Sequence, residues 1–285
     1  MRRVAVLLLI GTVAGTLSEV QPGTAKKNPK DGLMYASIPS GSFQMGCSRE
    51  DCPKNERPEH KVTISRPFWI GKTEVTVGAY KRFAEAIGRS MPPDTAEGYS
   101  VNPDWKGDEM PIVNVTWSDA ADYCQWAGGA MPTEAQWEYA ARGGSSSDPY
   151  GPLDEIAWTA SNSGREHLDA DSIFQNDKPH YEEILKSNGN APHEVGQKRP
   201  NAFGLYDMIG NVAEWTNDWV DPSYYSQSPE VDPSGPVTGE AKVLRGGHFL
   251  YPSQPNRASK RLWNDPKDRS PIGGFRCVLP DLKMK

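Results

Sequence analysis

The chain has 285 residues and is mildly acidic, with 37 Asp and Glu against 31 Lys and Arg. That length fits one large domain or two small ones, and with no basic stripe in the sequence, nucleic acid and anionic membrane surfaces are excluded as partners. Its 27 glycines, 25 prolines and 9 tryptophans imply many turns, short elements and a core filled by large rings.

At the N-terminus, Arg2 and Arg3 precede an apolar stretch from Val4 to Leu17, with small residues at Gly15, Thr16 and Ser18. This pattern predicts an export signal over 1–18; the alternative is a buried N-terminal strand. The stretch is too short to span a bilayer comfortably, and no cysteine follows it to carry a lipid. A polar linker over 19–32 and a single domain over 33–285 complete the expected organisation. The mature protein is expected in the periplasm or secreted, without a membrane anchor. Outside the cytoplasm, an even number of cysteines favours disulfides. Cys47 and Cys52 lie in the short segment Gly46-Cys-Ser-Arg-Glu-Asp-Cys-Pro53, which a bridge would close. A metal at this pair is the weaker reading. No second Cys/His pair lies nearby, and His60, His167, His180, His193 and His248 are scattered without zinc-type spacing.

Strands are predicted on either side of a turn within Leu33–Met45, then over His60–Ile64 and Phe68–Ile70. Thr76 is expected to cap a helix whose apolar face is Val77, Tyr80, Phe83, Ala84 and Ile87, ended by Gly88. Pro111–Trp117 reads as extended. Ser118 is expected to cap a second helix running to Trp126. Thr133-Glu-Ala-Gln136 is a capping box that starts a third helix, stopped at Gly143-Gly144. The stretch 145–200 is long, polar and poorly periodic, with one helical patch over Tyr181–Lys186; such a loop usually carries function. Val243–Phe249 and Gly274–Leu279 are the last expected strands. The reading is one α+β domain with little regular structure.

Seven segments, in order, resemble the formylglycine-generating enzyme, or sulfatase-modifying factor, family. They are Ile38-Pro-Ser-Gly-Ser-Phe-Gln-Met-Gly46, Glu74-Val-Thr76, Pro111-Ile-Val-Asn-Val-Thr-Trp117, Met131-Pro-Thr-Glu-Ala-Gln-Trp-Glu-Tyr-Ala-Ala-Arg-Gly-Gly144, Asn201-Ala-Phe-Gly-Leu-Tyr-Asp-Met-Ile-Gly-Asn-Val-Ala-Glu-Trp215, Leu244-Arg-Gly-Gly247 and Gly274-Phe-Arg276. The resemblance runs from Met34 to Val278 and implies a variant of the C-type-lectin-like fold. It also implies a structural calcium held by the side chains of Asp207 and Glu214 and the carbonyls of Gly210 and Val212, a donor set that suits a hard cation. A second calcium site of the family, near Asn162, is not carried over, because the insertion from Gly164 to Asn188 departs from the enzyme there. The resemblance further implies a Cys124–Cys277 disulfide, which leaves Cys47 and Cys52 for each other.

One segment departs from the family. The generating enzyme oxidises a substrate cysteine with two copper-binding cysteines of its own, just after Arg-Gly-Gly. Here that segment is Arg245-Gly-Gly-His-Phe-Leu-Tyr-Pro-Ser-Gln-Pro-Asn-Arg257, with Tyr251 and Asn256 at the two cysteine positions. His248 replaces the usual serine, and Ala213 the usual tryptophan before Glu214. Copper(I) needs soft thiolates, so copper chemistry is expected to be absent. His248, Tyr251, Asn256, Arg257, Arg261 and Trp263 form a candidate pocket for a peptide or small molecule, or are simply exposed loop residues.

Three functions compete. One is a non-canonical oxidase or other enzyme, since exported relatives that mature a siderophore chromophore and iron-dependent ergothioneine relatives show that this fold hosts other chemistry; no three-histidine iron set supports the latter. Another is a binding protein, because His248–Asn264 also resembles the variable patch of retroelement-diversified binding proteins. The third is a sulfatase recognition factor without turnover. A monomer with a binding role is the expectation.

Overall fold

The computed structural model describes residues 23–96 and 99–281; the expected export signal lies outside them. In chain order the strands are β1 (Ala25–Lys27), β2 (Met34–Ile38), β3 (Gly41–Met45), β4 (His60–Ile64), β5 (Phe68–Gly71), the small hairpin β6 (Thr95–Ala96) and β7 (Tyr99–Ser100), β8 (Ala213–Trp219), β9 (Lys242–Arg245), β10 (Arg261–Asn264), β11 (Gly273–Gly274) and β12 (Val278–Pro280). The α-helices are α1 (Val77–Ile87), α2 (Trp117–Trp126), α3 (Glu134–Arg142), α4 (Leu153–Ile156), α5 (Ala170–Asn176) and α6 (Tyr181–Ser187). Short strands and helices joined by long irregular connections make the α+β fold that the family resemblance implies.

Two four-stranded sheets organise the chain, in the orders β1-β2-β5-β12 and β10-β9-β8-β11. The central strands are apolar or buried on both faces: every residue of β5 and of β9 is buried. Between the sheets and helices α1 and α2 lies a ring-rich core of Tyr35, Trp69, Tyr80, Phe83, Tyr123, Trp215 and Phe275. A second core packs α3, through Trp137 and Ala140, against Ile38, Val62, Ile70, Leu205 and Met208. The Cys124–Cys277 disulfide ties α2 to the end of the chain, and Cys47–Cys52 closes its short loop.

Several expectations are corrected. Residues 23–32 are no loose linker: β1 pairs antiparallel with β2, and Asn28 and Asp31 are buried, with Asn28 donating to the carbonyl of Ala127 and Asp31 accepting from Tyr35. The cap of α2 is Thr116, not Ser118; its hydroxyl accepts from the Asp119 amide while the Asp119 carboxylate accepts from the Thr116 amide. That reciprocal pair satisfies two end-of-helix donors, which Ser118, already the second residue of the helix, could not do. Ile87 ends α1 half exposed, while Thr76, Gly88 and the rest of the face are as expected. The strand predicted over Val243–Phe249 stops at Arg245, because Gly246 and Gly247 turn the chain with φ of 92° and 75°. The last predicted strand is two, β11 and β12, in different sheets, with Phe275, Arg276 and Cys277 crossing between them. The polar stretch 145–200 holds α4, α5 and α6, and α5 is capped by Asp169, which accepts from the Ser172 amide.

Candidate functional site

The loop after β9 carries the positions where the resemblance implies an active site. Its shape starts from Gly247: a Cβ there would sit 1.8 Å from Oδ1 of Asn256, so only glycine fits beneath that side chain. Asn256 is fully buried and braces the loop from inside, its Nδ2 donating to the carbonyls of Tyr251 (3.3 Å) and Pro252 (2.8 Å). On the outer side Ser163 and the insertion that follows it hold the same loop. The Tyr181 hydroxyl donates to the Leu250 carbonyl at 3.1 Å, and the Ser163 hydroxyl to the Phe249 carbonyl at 2.9 Å. Ala160, Ala170, Tyr181 and Leu185 form a small core of their own, against which Leu250 packs.

Between the insertion and the loop is a chamber of about 400 Å³. Phe174, Tyr181 and Leu185 line it from α5 and α6; His248, Leu250, Tyr251 and Pro252 line it from the loop, with Pro271 and Ile272 beside them and Glu182 at the rim. His248 is 8% exposed. Its Nδ1 accepts from the Leu250 amide at 3.3 Å. Burial, helped by the charge of Lys260, pushes its pKa down to about 3, so the ring is neutral at any ordinary pH. A backbone amide can only donate, so the ring proton sits on Nε2, which has no protein partner.

The six candidate pocket residues therefore divide. His248 and Tyr251 line the chamber. Asn256 lies under it as a brace. Arg257 and Arg261 are not pocket residues at all: Arg257 pairs with buried Glu56, and Arg261 grips Glu134 through two bonds of 2.7 and 2.9 Å while its guanidinium stacks 4.4 Å from the Tyr225 ring. Trp263 points outward from β10, half exposed. Sequence proximity grouped these residues, but Arg261 and Trp263 belong to β10, beyond the loop that lines the chamber. Phe174, Tyr181 and Leu185 were missed as pocket residues. The Asp169 cap and the apolar spacing Ile173, Phe174, Tyr181, Leu185 were the available signals.

The stretch expected to hold calcium is a tight, buried turn. Asp207 and Asn211 have positive φ, and Gly210 passes so close to Trp158 that a Cβ would lie 2.3 Å from its carbonyl oxygen. Asp207 accepts from the Gly196 amide through Oδ2 at 2.7 Å, while its Oδ1 is buried with no partner. Glu74, which faces Asp207, likewise has one buried oxygen, Oε2, without a partner. Burial raises the Asp207 pKa to about 6 and that of Glu74 well above its ordinary value. Glu214 is different. Arg276 binds both its oxygens at 2.7 Å, and the Trp137 indole donates to Oε2 at 2.8 Å, which leaves one lone pair on Oε1. Unpaired buried oxygens beside excess negative charge fit a hard cation at Asp207; Glu214 fits it only as a minor ligand.

At the two positions that carry the copper-binding cysteines in the resemblance stand the Tyr251 phenol and the Asn256 amide, whose nitrogen is bound to two carbonyls and whose buried oxygen is unpaired. All four cysteines of the chain are in disulfides.

Comparison with known proteins agrees with this fold. The sulfatase-modifying factor enzyme 1-like domain matches residues 21–280. The formylglycine-generating enzyme of Streptomyces coelicolor is 35% identical over 301 residues, covering 90% of this chain and 92% of its own. That of Mus musculus is 33% identical, covering 92% of this chain and 79% of its own. Among solved structures, PvdO from Pseudomonas aeruginosa superposes with a TM-score of 0.74 at 29% identity, covering 91% of this chain and 98% of that one. The Treponema denticola variable protein 1, at 24% identity and a TM-score of 0.65 over 90% of this chain and 98% of its own, shares the fold.

Proposed function

Because the chain belongs to the sulfatase-modifying factor family, we propose that it has kept the family's fold and calcium, has given up copper-dependent formylglycine formation, and binds a ligand in the chamber under α5 and α6. The carrying observation is the donor set of the loop after β9. No thiol is free to hold copper(I), and the hard oxygens of a phenol and an amide are a poor substitute for two thiolates. The insertion that packs over the same loop leaves a partly open chamber with mainly apolar walls in which His248 Nε2 has no protein partner, the composition of a small-molecule site. Two disulfides support export to an oxidising compartment. Coexpression with a peptide carrying the sulfatase cysteine motif tests the loss of activity. Mass spectrometry is expected to find the cysteine intact; conversion to formylglycine would overturn the proposal.

The calcium would be held by the side chain of Asp207 and the carbonyls of Gly210 and Val212, with Glu214 contributing through Oε1. Bound there, the ion neutralises the carboxylates of Asp207 and Glu74 and fixes the turn that leads into β8. A ligand at about a hundred times its dissociation constant stabilises by roughly 2.7 kcal/mol, or about 5–10 °C in a domain of this size. Chelation is expected to lower the melting temperature by that amount, and Asp207→Asn to abolish the shift. An unchanged melting curve on adding chelator would remove the ion from the description.

A further inference from the structure

We infer that the chamber selects an uncharged planar molecule carrying a hydrogen-bond acceptor, such as an aryl ketone or an aromatic amide, with the acceptor docked on Nε2 of His248. This rests on the chamber being a ligand site. The argument for the class of ligand comes from its walls and from a buried donor, His248 Nε2–H, that the fold leaves unspent.

The walls are flat. Phe174 and Tyr181 meet edge to face, with ring centroids 5.1 Å apart, and the Tyr251 ring stands 5.2 Å from His248 in the same relation. Pro252 and Pro271 add two more rigid faces. Rings and prolines enclosing about 400 Å³ favour a flat apolar body that makes offset or edge contacts with several rings. A flexible polar chain would leave these surfaces uncovered.

The polar group sets the remainder. His248 is nine-tenths buried, and its Nδ1 is occupied by the Leu250 amide. Nε2–H is therefore a fixed donor. It cannot turn into an acceptor, because that would place two N–H groups against each other at Nδ1. A ligand that offers an acceptor satisfies this donor, and one that does not leaves it unpaired in an apolar surrounding. A cationic group placed at Nε2 would face a donor, so the group docked there is not a cation. An anion meets the Glu182 carboxylate at the rim. An uncharged acceptor is what remains.

Three probes of one shape test this on the full chain: 2-acetylnaphthalene, 2-ethylnaphthalene and 2-naphthoate, with affinities read by calorimetry. The ketone is expected to bind about tenfold or more tighter than the hydrocarbon, the worth of one satisfied buried donor, and tighter than the carboxylate. His248→Phe is expected to erase the preference while the hydrocarbon still binds. His248→Gln, whose amide offers an N–H of similar reach, is expected to restore part of it. Leu185→Trp, which fills the chamber, is expected to abolish binding of all three, and melting curves of each variant establish that it folds. Equal affinity for ketone and hydrocarbon, or a preference unchanged in His248→Phe, would overturn the acceptor rule but leave the chamber a ligand site. Binding of none of the probes by the folded protein would overturn both.

Discussion

Replacing Cys124 and Cys277 together by alanine is expected to cost about 5 kcal/mol, the chain-entropy value for so long a loop. The bridge joins residues 153 apart in sequence, with both ends fully buried. In a domain of this size that loss lowers the melting temperature by about 10–20 °C. The Cys47–Cys52 bridge closes only five residues, and the same arithmetic gives it about 2 kcal/mol. Denaturant unfolding of the two double variants measures the contrast. Equal losses would show that loop length is not what these bridges act through.

A second large effect is expected at Arg245. It is fully buried in β9, where its guanidinium donates to Glu138 and to the carbonyls of Ala258 (2.7 Å) and Ser259 (3.1 Å) and lies 3.3 Å from Glu134. Glu134 is also held by Arg261, and Glu138 by Arg142 at 2.8 Å. Burial disfavours ionised Glu134, but Arg261 and Arg245 outweigh it and hold its carboxyl below the usual range. At Glu138 burial prevails over Arg245 and Arg142, and the carboxyl lies above that range. Arg245→Met removes the main partner of a carboxylate that is already hard to ionise. Breaking such a buried pair from one side costs about 3–5 kcal/mol, against at most about 1 for the exposed Lys81–Asp108 pair.

The variant's deficit should also depend on pH. With Arg245 gone, the folded-state pKa of Glu138 rises further above its unfolded value. The folded variant then gains protons, and stability, as pH falls through that raised value towards the unfolded one. Unfolding measured at neutral and mildly acidic pH is expected to show the gap to the parent protein narrowing. A loss below about 1 kcal/mol at neutral pH would show the cluster to be better solvated than its burial implies.

What could be read from the sequence follows from how local each signal is. The capping box at Thr133 and Gln136 and the Thr76–Gly88 frame of α1 are written in residues three to twelve apart, and both stand as expected. The cap of α2 was misplaced because serine and threonine stand two positions apart, and only the reach of Asp119 decides between them. The family motifs located the loop after β9 but not the use of its residues. Arg257 and Arg261 look like pocket residues until Glu56 and Glu134, more than a hundred positions earlier, are seen to hold them. The chamber was hidden for a related reason. One wall of it comes from α5 and α6, whose few apolar residues make sense only against Leu250.

The two sheets also bear on the order in which the molecule assembles. β12 occupies the edge of the first sheet and pairs with β5, about two hundred residues earlier; Cys277 and Arg276 arrive with it. A chain emerging from synthesis can close neither the sheet, the long disulfide nor the Glu214 pair until residues 276–280 are made. Loop closure of this span must come before the contacts that reward it, a topology that folds slowly. Until then β5, with all four of its residues apolar or glycine, waits without its outer partner.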